Sequence, residues 1–441
     1  MKLPSLFLAA LTVITCLPTL SFAAENVPPE GFTALFNGKD FAGWHGVGTE
    51  DPRKIQALPE EEKQKKFADS LADLAEHWKV DNGELVNDGK GLYMTTDQNY
   101  RDYELLVDWK LIPKGDSGVY LKGTPQVQIW DTTEAAGYHK LGADKGSGGL
   151  WNNAAGSPGK DPIAHADKPI GEWNTFRIVQ VGAVTSVYLN DKLVVDHAIL
   201  ENYFDRQNHS PLVTAGPVQL QTHGNEVRWR NIYIRELPIE EANTFLETHD
   251  SDFVQLFDGK TLEGWAGAVD NYEVVEGAIR CKPGKGGVLH TEKEYGDFVA
   301  RLEFKLPPGG NNGLAIRYPG EGNTAYVGMC ELQILDSEDP RYAKLDARQY
   351  HGSAYGMAAA HRGYLRPVGE WNYQEVEVIG SKIKVTLNGS VILDTDLAPI
   401  TEYMANSPHP GKDRTMGYFG FAGHSEPVEF RNISIKPLAA K

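Results

Sequence analysis

The sequence is short of three things. Of its 441 residues only three are cysteine, at Cys16, Cys281 and Cys330. Cys281 and Cys330 allow one disulfide in an oxidising compartment, but not a disulfide framework. By themselves they cannot complete a zinc site. Basic residues are also scarce: 43 Lys and Arg stand against 60 Asp and Glu, for a net charge of −17. Nucleic acids and anionic membrane surfaces are held by basic patches. Nucleic acid is therefore not an expected partner, and a neutral substrate suits this surface. The third shortage is of long apolar runs. Beyond the N-terminus none is long enough to cross a membrane, so no transmembrane span is expected in the processed chain.

The N-terminus is the exception. Lys2, the apolar run Leu6 to Leu17 and the small residues up to Ala23 and Ala24 read as a signal peptide over 1–24. The run is short for an anchor, and Pro18 breaks it. The expected location is secreted or periplasmic.

What the sequence does have is itself, twice. Leu35-Phe36-Asn37-Gly38-Lys39 returns as Leu256-Phe257-Asp258-Gly259-Lys260. Asp116-Ser117-Gly118 returns as Asn311-Asn312-Gly313, and Gln128-Ile129-Trp130-Asp131 as Gln333-Ile334-Leu335-Asp336. Gly171-Glu172-Trp173-Asn174 returns as Gly369-Glu370-Trp371-Asn372, and Arg230-Asn231-Ile232 as Arg431-Asn432-Ile433. Motifs in one order at this spacing mark a duplicated domain. The boundaries read as 31–236 and 252–437, joined by a helical linker over 237–250.

Changing offsets locate the insertions. Leu35 and Leu256 lie 221 positions apart, but Trp78 and Tyr272 only 194, so copy one carries 27 extra residues. Within that insert, 51–77, a proline is followed by acids and then by Phe67, Leu71 and Leu74. This spacing predicts an amphipathic helix, placed as a flap over or beside the copy-one pocket. Copy two has ten extra residues in the Gly- and Pro-rich run Pro319 to Gly328.

The remaining pattern is β. Short alternating runs are separated by turn signals such as Asn190-Asp191 and Asn388-Gly389. With 46 Gly and 25 Pro as punctuation, the class is all-β, a sandwich or jelly roll. One strand in each copy is unusual: Thr124 to Asp131, and Met329 to Asp336. Side chains alternate along a strand. Gln126 and Gln128 therefore share one face, as do Glu331 and Gln333, while Val127, Ile129, Leu332 and Ile334 take the other. A strand with one apolar face and one hydrogen-bonding face makes a good floor for a polar ligand such as a sugar. The terminal Asp breaks the parity and reaches that face only if a bulge re-aims it.

These residues together resemble the 3-keto-disaccharide hydrolase family, also described as the 3-keto-glucoside 1,2-lyase and 3-keto-2-hydroxy-glucal hydratase domain. The resemblance rests on the motifs above with Asp116 to Gly123, Gly146 to Asn153 and Leu220-Gln221-Thr222-His223-Gly224. It implies two tandem concanavalin A-like jelly-roll β-sandwich domains acting on a carbohydrate, a 3-keto sugar. Copy two departs from the pattern at Phe421 to Ser425 and at His351 to Gly356. Copy one is therefore expected to be the main catalyst, although only copy two holds Glu331.

Jelly-roll glucanases carry Glu-x-Asp-x-x-Glu on this strand, because retaining hydrolysis uses two carboxylates. The spacing here reads Gln126-x-Gln128-x-x-Asp131, and amides cannot replace those acids. The keto-sugar chemistry needs instead a base, a group holding the enolate oxygen and an acid near the leaving oxygen. Candidates for base and acid are Asp131, His223, Glu331, Asp336 and His424. Lys122 or Arg317, amides, or a divalent metal could hold the oxygen; no cofactor is otherwise demanded, and no metal-ligand set is defined. Gln126, Gln128, Trp130, Trp151, Asn152, Gln221, Gln333 and Tyr355 are candidate substrate contacts. Each has a plain alternative: a turn cap for the aspartates, a backbone-bound strand-end group for the histidines, a solvated charge for Lys122 and Arg317, a core role for the aromatics. Two other functions fit the same strand: a non-catalytic carbohydrate-binding protein and a cell-surface docking protein.

Overall fold

The computed structural model describes residues 26–247 and 252–439, so the segment read as a signal peptide lies outside the described residues. The described residues form four antiparallel sheets, two per copy. In copy one the long sheet runs Lys192–Ile199, Val184–Leu189, Asn174–Val181, Tyr103–Leu111, Val227–Glu236, Glu84–Asn87, Trp78–Asp81, with Thr33–Ala34 added beside Val227–Glu236. The facing sheet has five strands, in the order Trp44–Val47, Tyr93–Thr96, Gln219–Leu220, Asp116–Leu121, Thr124–Trp130. Copy two repeats both orders, and its five-stranded sheet ends on Asn311–Tyr318 and Cys330–Leu335. These are two tandem β-sandwiches of the jelly-roll kind.

Alternation builds the core. Val119, Leu121, Val127 and Ile129 point inward and pack with Val107, Trp109 and Ile178 of the long sheet. Leu314, Ile316, Leu332 and Ile334 do the same in copy two. Each such side chain contributes roughly 1.5–3 kcal/mol when fully buried. The two-residue hairpins close as their residues require: Asn190 and Asp191 both take positive φ (50° and 65°), as do Asn388 and Gly389 (48° and 77°). Cys281 and Cys330 are both buried and unpaired.

The 51–77 segment forms two helices, Pro52–Gln56 and Glu60–His77. The long one lies along the edge strand Trp44–Val47. Leu74 is fully buried, and Ser70 Oγ accepts from the Gly46 amide at 2.8 Å. A sheet edge with unpaired amides is thereby covered. A third helix, Ile239–Leu246, follows copy one and packs Ala242 and Leu246 against Val181 and against Tyr373 of copy two.

Lys122 and Arg317 are not on the exposed face of the five-stranded sheets. Strand parity would put them there, but both residues take left-handed backbone (φ 53° and 47°), which turns the side chains inward. Lys122 is fully buried, and its Nζ donates to the Gly182 carbonyl at 2.8 Å and lies 4.0 Å from Asp102. Arg317 reaches the equivalent Gly380 carbonyl at 2.7 Å and Asp297 at 2.8 Å. In both copies the cation ties the five-stranded sheet to a turn of the long sheet. The candidate role of these residues at an enolate oxygen is therefore corrected to an internal clip.

Replacing Lys122 by Met should orphan the Gly182 carbonyl and weaken the unfolding free energy of copy one by about 1–3 kcal/mol. Chemical denaturation measures this. Turnover at the folded optimum should be unchanged; a large loss of turnover at wild-type stability would restore the catalytic reading.

Candidate functional site

In copy one the outward face of the five-stranded sheet carries Asp116, Gly118 and Tyr120 on one strand and Gln126, Gln128 and Trp130 on its hairpin partner. The register sets Asp116 opposite Trp130 and Gly118 opposite Gln128. Gly118 is a glycine for a reason: a β-carbon there would press into the Gln126 side chain. Gln126 Nε2 donates to Gln128 Oε1, and Gln128 Nε2 donates to Asp116 Oδ1 at 2.7 Å. The two amides thus lead into one carboxylate. Asp116 Oδ2 lies 3.3 Å from His223 Nδ1, and the His223 side chain is more than half exposed. Burial pushes the Asp116 carboxyl up from its ordinary range, while His223 and the Gln128 amide pull it back.

Aromatic rings wall this end. Trp130 is buried but stands outside the apolar core, edge-on to Trp151 (centroids 5.9 Å) and 6.0 Å from Tyr138. Trp151 is half-buried, with its indole N–H on the Leu141 carbonyl. Gln221 sits beside Gly118, and its buried Oε1 has no partner. Asn152 lies in the following loop, where its carbonyl accepts from Arg206 and its Oδ1 is buried without a partner.

Asp131 does not join this group. Its Oδ2 accepts from the Lys114 amide at 2.6 Å, and its Oδ1 from the Thr133 amide and hydroxyl at 2.9 and 2.7 Å. Asp336 makes the matching contact to the Gly309 amide at 2.8 Å. Both are caps at the strand end, which corrects their candidate catalytic role: the loop consumes the carboxylate. The carboxylate on the face is Asp116. Sequence reasoning passed over it, although the repeat aligns it with Asn311 and parity puts it with Gln126 and Gln128.

Copy two has the same frame with the charge moved. Asn311 stands at the Asp116 position, and Gln333 Nε2 donates to its Oδ1 at 2.7 Å. Glu331 stands at the Gln126 position. It is buried, and the Thr324 hydroxyl donates to Oε2. Thr324 belongs to the short helix Thr324–Val327, formed from the ten residues that copy one lacks. Burial pushes the Glu331 carboxyl up to about 7, partly opposed by Thr324. Glu331, Gln333, Asn311, Tyr355 and exposed His424 line a pocket of about 220 Å³. Tyr355 OH accepts from Gln349 Nε2 at 3.0 Å. Among the described residues no three His, Cys, Asp or Glu converge as a metal site. On the copy-one face Asp116 and His223 stand as a pair.

A curated 3-keto-disaccharide hydrolase of Bacteroides thetaiotaomicron is 23% identical, over 48% of this chain and 80% of its own. Two solved structures of Parabacteroides distasonis proteins, provisionally named glycosyl hydrolases, are 22% and 25% identical. They cover 46% and 42% of this chain and 99% of their own, each with a TM-score of 0.39. The family model for the 3-keto-alpha-glucoside-1,2-lyase-like domain matches twice, at 31–235 and at 252–436, one match for each sandwich. The chain belongs to that family and carries its domain in two copies.

Proposed function

We propose that this protein is an exported enzyme that cleaves glycosides carrying a ketone at C3, by elimination of the C1 substituent and addition of water. The observation that carries the reading is the single carboxylate on each polar face. Two-carboxylate hydrolysis needs a second acid, and the strand that would supply it offers amides. One base is enough when a C3 ketone acidifies the hydrogen at C2.

In copy one Asp116 is that base. Its partial burial makes it a stronger base than a solvated aspartate. It takes the C2 proton, and the electron pair forms the enolate to the C3 oxygen. The enolate then expels the C1 oxygen, leaving a C1–C2 double bond and a restored ketone. His223, next to Asp116 and open to solvent, gives a proton to the leaving oxygen. Water adds at C1 as a proton returns to C2, which completes net hydrolysis. The Gln126 and Gln221 amides are donors for the enolate oxygen. In copy two the buried carboxyl of Glu331 holds its proton to higher pH and suits an acid. The N-terminal sequence supports export. A purely carbohydrate-binding role is the second reading, favoured by the amide-rich faces; it predicts binding of 3-keto-glucosides with no enone or sugar released.

Turnover of a 3-keto-glucoside, followed by enone absorbance and released sugar, separates these readings. Asp116→Asn should lose about 10²–10⁴-fold with its fold intact, and Glu331→Gln much less. Equal losses would mean two working sites. Loss only in Glu331→Gln would make copy two the catalyst.

Glu331 also predicts a pH effect on stability. Its folded pKa of about 7 exceeds the ordinary 4.5. Between those values the folded chain binds more protons than the unfolded one, so stability is lost as pH rises. Glu331→Gln should match wild type near the bottom of that window and exceed it above the window by about 3 kcal/mol. Denaturation of copy two across pH tests this.

A further inference from the structure

The polar face of copy one has a second end. Between it and the 51–77 helices lies a pocket of about 260 Å³. Its floor is a row across three strands, with His45 opposite Thr95 and Thr95 opposite Gln219. Tyr120 pairs with Gln219 on the far side. Its hydroxyl shares Thr49 Oγ1 with Tyr93, each at 3.1 Å, which separates this row from the Asp116 end. The roof is Phe67 of the long helix, stacked on the His45 ring at 3.5 Å between centroids.

Among the described residues, two acceptors on this floor have no protein donor. Gln219 is 2% exposed; its Nε2 donates to Thr95 Oγ1 at 3.0 Å, and its Oε1 is left without a partner. A buried acceptor left unmet costs about 1–3 kcal/mol. His45 Nδ1 is held by Asp97 at 2.8 Å. That contact makes Nδ1 the donor and leaves Nε2 as an acceptor, and Nε2 bonds no protein group. Burial holds this histidine below its ordinary pKa, which keeps the ring neutral at pH 7.

The charges around the rim cancel or are acidic. Lys63 pairs with Glu60 at 2.8 Å and Lys66 with Glu50 at 2.9 Å, while Asp97 is half exposed. Nothing there recruits an anion. Phe67, Ile55 and Pro217 offer apolar surface beside the two acceptors. Copy two differs here: the matching row reads Ala266, His290 and Gly420, and among the described residues a single 3-10 turn, Val269–Asn271, stands where copy one has its two helices.

We propose that this pocket is a second ligand site, taking a neutral polyhydroxylated molecule the size of one sugar ring, whose hydroxyls donate to Gln219 Oε1 and His45 Nε2. It is separate from the reaction assigned to Asp116 and does not depend on it. The 51–77 helices then act as the wall of a binding pocket built by the insertion in copy one.

Calorimetric titration of the full chain with glucose, methyl glucoside and gluconate tests this. The neutral sugars should bind and gluconate should not. Gln219→Leu and His45→Phe should each weaken binding about tenfold or more, the loss of one buried hydrogen bond or slightly over. Ile55→Trp fills the pocket from its roof without touching the floor, and should also abolish binding if a floor variant fails to fold. Asp116→Asn should bind as wild type does. No heat with either neutral sugar at millimolar concentration, undiminished binding in Ile55→Trp, or loss of binding only in Asp116→Asn would each overturn the proposal.

Discussion

In each sandwich the Asp116–Leu121 and Asn311–Tyr318 strands, with their hairpin partners, can bury only alternate residues against the long sheet. The apolar set is consumed there: Val119, Leu121, Val127 and Ile129 in copy one, their equivalents in copy two. The other set is left facing outward on a hydrogen-bonded hairpin at the sheet's end. Side chains on such strands are placed more precisely than on loops. Polar groups set there must find partners among themselves or in a ligand. This is why amides dominate the face, why they donate along the row into one carboxylate, and why Gln219 and Gln221 retain open acceptors.

The two insertions act on this frame from outside, and they act differently. In copy one the long helix satisfies an edge amide through Ser70 and closes the far end of the face. In copy two the short helix brings Thr324 directly onto Glu331. The sheets beneath are nearly the same, so what distinguishes the copies is what covers them. A cover that desolvates a carboxylate raises its pKa, and Glu331 is the more deeply covered of the two.

Much of this was legible because period-two alternation survives duplication. The repeat located both sandwiches, and parity alone put Gln126, Gln128, Glu331 and Gln333 on the polar face. The misplacements share a cause: each lies at a strand end, where parity stops holding. Lys122 and Arg317 follow the strand pattern up to a residue with positive φ, and then turn into the interior. Asp131 and Asp336 lie one step past the pairing and are taken by neighbouring backbone amides. Asp116 was hidden for the opposite reason. It opens a strand beside Ser117 and Gly118, where an Asp-Ser-Gly run reads as turn chemistry. Its register with Trp130 settles that it belongs to the face.

The exchange between Asp116 with Gln126 and Asn311 with Glu331 follows from what the frame requires. Gln128 and Gln333 need an acceptor across the hairpin, and a carboxamide oxygen serves as well as a carboxylate: both contacts are 2.7 Å. The charge is therefore free to move without disturbing the network. Two adjacent carboxylates would not be neutral to the frame, because like charges so close force one to keep its proton. One carboxylate per face avoids that conflict and still leaves a group able to move a proton. In copy one it stands beside a histidine and solvent. In copy two it stands under Thr324, at the lining of the pocket shared with His424. The same frame thus holds its carboxyl beside a histidine in one copy and, in the other, buried under a hydroxyl where it keeps its proton to higher pH, which makes the copies different chemical environments rather than duplicates of one.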